Sequence, residues 1–501
     1  MLDILSEIPD LLSLEILVPW ILAMVFGVFV GSTPGLTATM AVALIIPFSF
    51  QLEREAALAM VIGVSFTAIF AGDIPATFLR IPGTPASAAA TLDGHELAKQ
   101  GKGKEVLLLN LLCSAGGGIL GVLLLVLIAP SMAKFALKFG SFEYFWLCVV
   151  GLLLGVSVSS GKRIELGILA AVMGFLFALV GKDPLTNQDR FIFGYTDLSH
   201  GLSFIPAMIG LFGISEVLRS VASVNESKKT EISTGSFKPL QTIRRIVGNI
   251  PTFLQSVGTG TVVGALPGAG ADIAAWGAYG VSEKTTRSAV PEFGKGNWKG
   301  VVAPTSANNA AVAAAWIPAL VFGVPGDAVT AIVLGAFLVY DITPGDELFN
   351  SGGADFIFAI AFVTQLILIP AGIFGILLFS QFTKLPKAIV LTAVVIFSVV
   401  GAYAMNNTMV DVWVMFGFGV LGLILERQRI PLAPLILGMI LGPKIEEFLR
   451  RGLIASKGKF GAAFESGIDL FFVSVLGMML IFAVIRRISN RRTDNEIRTE
   501  Y

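Results

Sequence analysis

Apolar residues run in long blocks from near the N-terminus to residue 487, separated by short polar stretches. A block of about 20 apolar residues spans a bilayer as a helix. The pattern predicts membrane segments at 17–50, 55–92, 106–130, 141–160, 163–181 and 203–222. A polar stretch follows at 223–249. Segments resume at 251–282, 306–345, 354–380, 386–403, 408–425 and 430–443, with one more at 467–487. This is the pattern of an all-α polytopic membrane protein with roughly 12 transmembrane segments. Several blocks are interrupted. "GSTPGLTATM" at 31–40 carries Gly31, Pro34 and Gly35 inside an apolar run. A simple anchor has no need of such a break.

The breaks recur. "GSTPGL" at 31–36 is echoed by "GALPGA" at 264–269, which places Pro34 and Pro267 233 residues apart. "RIPGTPASAA" at 80–89 is echoed by "GVPGDAVTAI" at 323–332, with Pro82 and Pro325 243 apart. "FIPAMIGLF" at 204–212 is echoed by "LAPLILGMI" at 432–440, with Pro206 and Pro434 228 apart. Three matches in order predict two membrane repeats, 17–222 and 250–445. They are flanked by an N-terminal interfacial helix (1–16), a basic linker (223–249), a loop and extra helix (446–488) and a basic tail (489–501). Repeats with Gly/Pro-interrupted segments at matching positions are the mark of secondary transporters.

In lipid, a helix break is tolerated only where protein or a water-filled cavity satisfies the freed backbone. Each half has two breaks, at 31–35 and 73–87 in the first and at 264–270 and 317–330 in the second. A new half-helix after a break offers free N–H groups and a positive dipole end to a carboxylate. Carbonyls at the preceding end can hold Na⁺. One isolated break reads as a kink; four in related positions read as a binding site. The candidates are Thr33, Pro34, Gly35 and Thr37, then Pro82, Gly83 and Thr84. In the second half they are Pro267, Gly268 and Gly270, then Pro325 and Gly326. Thr39 lies on the same stretch as Thr37. Ser306, Asn308 and Asn309 open an Ala-rich segment; their oxygens and amides suit a cation or a carboxylate, and Ser306 also reads as a helix N-cap. Charges inside a membrane are costly and mark function by default. Arg80 reads either as a partner of Asp73 or of an anionic substrate, or as a snorkelling side chain. Asp272 and Asp327 read as Na⁺ or H⁺ ligands, or as helix caps.

Composition agrees with the segment pattern. The chain of 501 residues is 55% hydrophobic and 14% charged, with mean hydropathy +0.82. Lys+Arg and Asp+Glu are 35 each, which gives no reason to expect nucleic acid. Cys113 and Cys148 lie in apolar runs and read as packing residues. The acidic N-terminus lacks a basic n-region, so it is not read as a cleaved signal peptide. The linker and tail are both basic. Placed together in the cytoplasm, they put the N-terminus outside and make the repeats inverted. The basic stretch 444–459 (Lys444, Arg450, Arg451, Lys457, Lys459) strains that topology, because one segment separates it from the tail.

Enzyme motifs fail. "HELAK" at 95–99 has Lys99 where a zinc protease needs its second His. "GTGTVVG" at 258–264 has the wrong spacing for a dinucleotide fingerprint, and no Walker sequence occurs. An intramembrane enzyme would need a nucleophile and base or a metal site, and neither pattern is present. A channel remains a rival to a transporter.

"PGLTATMAVALIIPFSF" (34–50), "IPATFLRIPGTPASAAATLDGHELAKQGKGKEVL" (74–107), "LSFIPAMIGLFGISEVL" (202–218), "GALPGAGADIAAWGAYGVSEK" (264–284) and "FGKGNWKGVVAPTSANNAAVAAAWIPALVFGVPGD" (293–327) carry a resemblance. They resemble the large membrane subunit of the tripartite tricarboxylate transporter family over nearly the whole chain. The resemblance implies a multi-pass permease of the bacterial inner membrane. It would work with a small four-helix membrane subunit and a periplasmic solute-binding protein. The substrate would be a small carboxylate such as citrate, another di- or tricarboxylate or an aromatic acid. A Na⁺ or H⁺ gradient would drive it, with no other cofactor. The family's P-G-L maps to Pro34, Gly35 and Leu36, its P-G-T-P to Pro82–Pro85, and its S-A-N-N-A to Ser306–Ala310. This chain departs at Thr305, where the family has Glu, at Arg80, where it has an uncharged residue, and at Asp346, where it has Pro.

Overall fold

The computed structural model describes residues 2–33, 36–160, 163–222, 235–268, 270–286, 290–382 and 387–479. Pro34 and Gly35 lie outside the described residues, as does the basic tail. The described chain is all-α apart from one two-residue strand pair. Six helices are long and apolar enough to cross a membrane, and six shorter apolar helices accompany them. The protein is a multi-pass membrane protein.

The first half starts with α1 (Leu2–Leu11), which packs on a helix of the second half, and α2 (Leu14–Ser32). The run read as one segment, 17–50, is two helices, because α2 stops before Pro34 and α3 (Ala38–Ser49) starts on a new cap at Thr37. Then come α4 (Arg54–Ala71), α5 (Asp73–Leu79), α6 (Ser87–Leu97) and the long α7 (Gly103–Ala136). The half closes with α8 (Ser141–Ser159), α9 (Ile164–Ala178), a hairpin of β1 (Gly181–Lys182) and β2 (Asp189–Arg190), and the helices α10 (Phe204–Met208) and α11 (Ser215–Ala222) joined by a π-turn.

The linker expected at 223–249 turns helical at α12 (Pro239–Gly248), where Pro239 opens an amphipathic stretch. The second half then runs through α13 (Ile250–Gly264), α14 (Gly270–Thr285), α15 (Lys299–Phe322), α16 (Ala328–Val339), α17 (Asp346–Asn350), α18 (Gly353–Phe382), α19 (Lys387–Asn406), α20 (Met409–Arg427) and α21 (Leu432–Ala455). Two further boundaries differ from the sequence expectation. α15 starts at Lys299, so Ser306 lies inside it and caps nothing; its hydroxyl bonds the Val302 carbonyl at 2.7 Å. α21 continues to Ala455, well past 443, because Pro443 sits inside it without ending it.

The two sequence offsets reappear as packing contacts. Gly27 faces Val64 and Gly31 faces the Ala68 carbonyl. Displaced by 233, Gly260 and Gly264 face Ala307 and the Ala311 carbonyl. The partners are displaced by 243. Close approach at small residues is how membrane helices gain packing without a hydrophobic drive between them. In both pairs the residue numbers rise together, so α2 runs parallel to α4 and α13 to α15.

The same kind of contact sets the direction of one half against the other. Phe78 meets Gly103, whereas Phe70 and Leu111 both meet Gly372. Numbers therefore rise along α4–α5 as they fall along α7, and the two are antiparallel. Ser114 bonds Asn308 at 3.0 Å, Gly117 meets Ser306, and Gly121 meets Ala310 and Ala313. α7 is therefore parallel to α15. It follows that α4 and its counterpart α15 run in opposite directions, as an inverted repeat requires. The exchange is mutual, since α7 packs on α15 while α18 packs on α4.

On the face where α9 ends, Asp183 and Arg190 of the hairpin meet Glu446 and Arg450 of α21. Arg190 bonds Glu446 at 2.7 Å and also Asp183; Arg450 bonds Asp183 at 2.7 Å and Glu446 at 3.0 Å. Arg451 and Lys444 pair with Glu447. Much of the positive charge at 444–451 is therefore paired locally.

Candidate functional site

Two structural turns recur at the second break of each half. α5 ends because Arg80 takes a left-handed conformation (φ 59°) and the Ile81 N–H bonds the Pro75 carbonyl at 3.4 Å. At the 243 offset, α15 ends on Gly323 (φ 67°) and the Val324 N–H bonds the Pro318 carbonyl at 3.2 Å. Both closing bonds reach back six positions, one more than the 6→1 bond of a Schellman turn. Pro82 and Pro325 follow two residues later, where they prevent the helix resuming. The chain then doubles back. The Gly83 N–H bonds the Gly72 carbonyl at 3.1 Å, and Gly83 also abuts the Gly31 carbonyl. Gly326 packs as closely on Ala315. The first and second breaks of the first half therefore meet at Gly31, Gly72 and Gly83.

Each returning loop then caps a new helix, with different chemistry in the two halves. Thr84 Oγ1 accepts from the Ser87 N–H at 3.3 Å and lies 2.8 Å from the Ser87 hydroxyl. At the same offset, Asp327 Oδ1 accepts from the Thr330 N–H at 2.7 Å and from its hydroxyl at 2.8 Å. Asp327 is thus a helix cap. Thr37 caps α3, its hydroxyl accepting from the Met40 N–H at 3.2 Å, and Thr33 bonds the Phe29 carbonyl at 2.8 Å.

The halves come together at Asp272. It lies in the first turn of α14, its carboxyl facing the Ala86 backbone N–H from the first half and the Asp327 carboxyl from the second. Gly270 (φ 60°) leaves no room for a Cβ beside Asp327, whose Cβ would stand 2.7 Å away. Asp272, Arg80, Ile81, Pro82 and Pro85 are exposed, while Gly83, Thr84, Pro325 and Gly326 are buried. The result is a crevice with an acidic wall on Asp272 and Asp327 and a helix N-terminus opposite. Gly268 (φ 82°) and Pro267 lie against Gly155 and Gly151 of α8.

Not every predicted residue joins it. Asn308 and Asn309 sit mid-helix, 14 residues before Gly323 in the case of Asn309, about 20 Å along the axis. They belong to a buried polar layer where α7, α15 and α18 meet. Ser114 bonds Asn308 and the Thr305 carbonyl, and Gln365 abuts Gly118. Both amide atoms of Asn309 and of Asn110 are buried without a hydrogen-bond partner. Arg80 does not pair with Asp73. It is exposed and faces Glu96, whereas Asp73 is fully buried.

Sequence reasoning missed Asp93. This buried carboxylate on α6 accepts from the Tyr279 hydroxyl at 2.9 Å and from the backbone N–H groups of Gly294, Gly296 and Asn297 at 2.9, 2.9 and 2.7 Å. It ties α6 of one half to α14 and the loop entering α15 of the other. Its signal was a lone acid in an otherwise uncharged Ala/Thr stretch. A cavity of about 400 Å³ lies away from the crevice, beside the β-hairpin, with Lys182, His200, Phe204 and Met439 in its walls.

Comparison with known proteins places this geometry. The model of the tripartite tricarboxylate transporter TctA family matches residues 17–437. An uncharacterized 52.8 kDa protein in the TAR-I ttuC' 3' region of Agrobacterium vitis is 33% identical over 93% of this chain and 92% of its own length. A second, in the TAR-II ttuC' 3' region of the same organism, is 35% identical over 47% of this chain and 97% of its own length. No solved structure matches.

Proposed function

The chain belongs to the tripartite tricarboxylate transporter TctA family, and from that premise we propose that it is the large permease subunit of a binding-protein-dependent secondary importer of a small carboxylate. The observation that carries this reading is the meeting of breaks from both halves at Asp272, Ala86 and Asp327. A substrate carboxylate would displace Asp272 from the Ala86 N–H at the start of α6, where the helix dipole favours an anion. Thr84, Gly83 and Pro82 would shape that side; Gly270, Pro325 and Gly326 would shape the other. Asp272 and Asp327 would bind the coupling cation, Na⁺ or H⁺, whose gradient drives uptake. Inverted halves around a shared site allow one packing to open on each side of the membrane in turn.

The linker face, which carries Arg244 and Arg245, is assigned to the cytoplasm by the positive-inside rule. The opposite face, with the β-hairpin, would receive a periplasmic solute-binding protein, and a small four-helix membrane subunit would complete the complex in a bacterial inner membrane. The test is carboxylate uptake into proteoliposomes holding the complex, with and without an imposed Na⁺ or H⁺ gradient. Accumulation against a concentration gradient, abolished by Asp272→Asn, is expected. Flux down the substrate gradient without any cation dependence would replace this reading with a channel.

A further inference from the structure

Asp73 is the chemical oddity of the first half. Its side chain is fully buried, and neither carboxylate oxygen meets a hydrogen-bond partner. The Ser87 hydroxyl faces it and lies 2.8 Å from the Thr84 hydroxyl, with either of the two able to donate to the other. An unpaired buried carboxylate costs several kcal/mol. Three other carboxylates of this chain are bonded instead. Asp93 gathers four donors, Glu105 takes Arg245 at 2.7 Å, and Asp327 takes Thr330.

The surroundings of Asp73 supply oxygens and no positive charge among the described residues. Thr84 Oγ1 and Ser87 Oγ both stand within 2.8 Å of where a Cβ on Gly72, the preceding residue, would lie. The Gly31 carbonyl lies against Gly83, the residue before Thr84. Hard oxygen donors of this kind select hard cations. One carboxylate with neutral oxygens balances a single positive charge. We propose that Asp73, Thr84 and Ser87 form a binding site for a dehydrated monovalent cation, with Na⁺ as the ligand.

The site has no copy in the second half. The residue 243 positions on is Trp316, whose indole N–H is buried without an acceptor. The first half therefore holds a cation site where the second holds a hydrogen-bond donor. Ser87 opens α6, and the adjacent Ala86 N–H faces the crevice. A cation on Asp73 holds the 84–87 turn in the conformation that presents this N–H to a carboxylate. Cation and anion then each raise the affinity of the other, as linkage requires. Only this last consequence rests on the carboxylate-importer reading; the cation site itself does not.

The test is thermal unfolding of the purified full chain in detergent at neutral pH, titrated with NaCl against choline chloride at constant ionic strength. Na⁺ is expected to raise the unfolding temperature saturably, and choline is not. Asp73→Asn should abolish the Na⁺ response, and Ser87→Ala should raise the half-saturating Na⁺ about tenfold. Asp183→Asn, in the β-hairpin and bonded to Arg190 and Arg450 rather than to this site, should keep the response. A full Na⁺ response in Asp73→Asn, or none in the wild type, overturns the site. If Asp73→Asn does not purify as a folded protein, Ser87→Ala decides, and an unchanged half-saturating concentration overturns the proposal. Carboxylate uptake with an Asp73-independent Na⁺ response would defeat this site and leave the transport reading intact. An Asp73-dependent response without uptake in the reconstituted complex would do the reverse.

Discussion

The turn at Gly72–Ser87 and the turn at Ala315–Thr330 are the same backbone device with different side chains. Both use a left-handed C-cap, a hydrogen bond from the next residue back to a proline carbonyl six positions earlier, a proline two residues past the cap and a small residue under the returning glycine. Yet the first carries its acid inside the helix, at Asp73, and caps with hydroxyls. The second carries its acid in the cap, at Asp327, and has an indole at the Asp73 position. Backbone geometry needs only small residues and prolines at fixed places, so both copies satisfy it. Charge has no such constraint, and a transporter that binds an anion and a cation gains from halves of unlike polarity. The difference separates what holds the scaffold from what acts on it.

The sharpest way to break this comparison is to attack the shared part. A methyl group on Gly31 or Gly264 would collide with a rigid carbonyl, of Ala68 or Ala311 respectively. Gly31→Ala and Gly264→Ala should each destabilise by about 1–3 kcal/mol and abolish uptake. Gly258→Ala, which meets nothing within 4 Å, should leave both unchanged. Tolerance at Gly31 but not Gly264, read by thermal unfolding and uptake, would show that the scaffold is not equally used by the two halves.

Much of that scaffold is legible in the sequence. Pro34 and Pro267 announce one offset, Pro82 and Pro325 the other, and both return as atomic contacts. Their ten-residue difference has a physical source: the connection into α15 (286–298) is longer than the connection into α4 (50–53). Other features leave no local trace. The run 17–50 reads as one segment because α2 and α3 are apolar alike, and only tertiary packing decides that α3 turns back. Ser306 reads as a cap because it opens an Ala-rich run. In the structure Pro304 is the sixth residue of α15, inside the helix rather than before it. Asn308 and Asn309 read as candidate ligands because they open an Ala-rich segment, but the helix carries them about 20 Å from the break. The partners of Asp93 lie near residues 279 and 294–297, and no periodicity points to them.

The closures at the two ends of the crevice differ too. At the linker end, Asp93 holds Tyr279 and three backbone N–H groups. At the other end, α3 meets α16 through one pair of hydroxyls, Tyr340 and Ser49, at 3.0 Å. Asp93→Asn should cost about 3 kcal/mol, and Tyr340→Phe about 1 kcal/mol. Equal losses in thermal unfolding would mean the ends are held alike. A smaller effect belongs to the C-caps. Arg80 occupies a left-handed position that Gly323 fills without strain, so Arg80→Gly should stabilise by up to about 1 kcal/mol. If Arg80 also draws in an anionic substrate, uptake by that variant falls while its stability rises. A loss of stability would mean that Arg80 holds the turn through its side chain.

The smallest expected effect concerns a connection that only the first half elaborates. The second half joins α20 to α21 with residues 428–431, whereas the first spends 179–203 on the hairpin between α9 and α10. Burial alone would raise the Asp183 carboxyl. Hydrogen bonds from Arg450, the backbone N–H groups of Thr186 and Leu185, and Arg190 outweigh it and hold the group below the usual carboxylate range. A depressed folded value means the stabilisation is complete above the unfolded value near 4 and is lost as pH falls through the folded one. The difference in unfolding temperature between wild type and Asp183→Asn should therefore stay constant from about pH 8 to pH 5 and shrink only below about pH 4. A difference that already shrinks between pH 7 and pH 5 would mean that Asp183 is not held by its arginines. The hairpin would then be a loose insertion with no stabilising hold on α21.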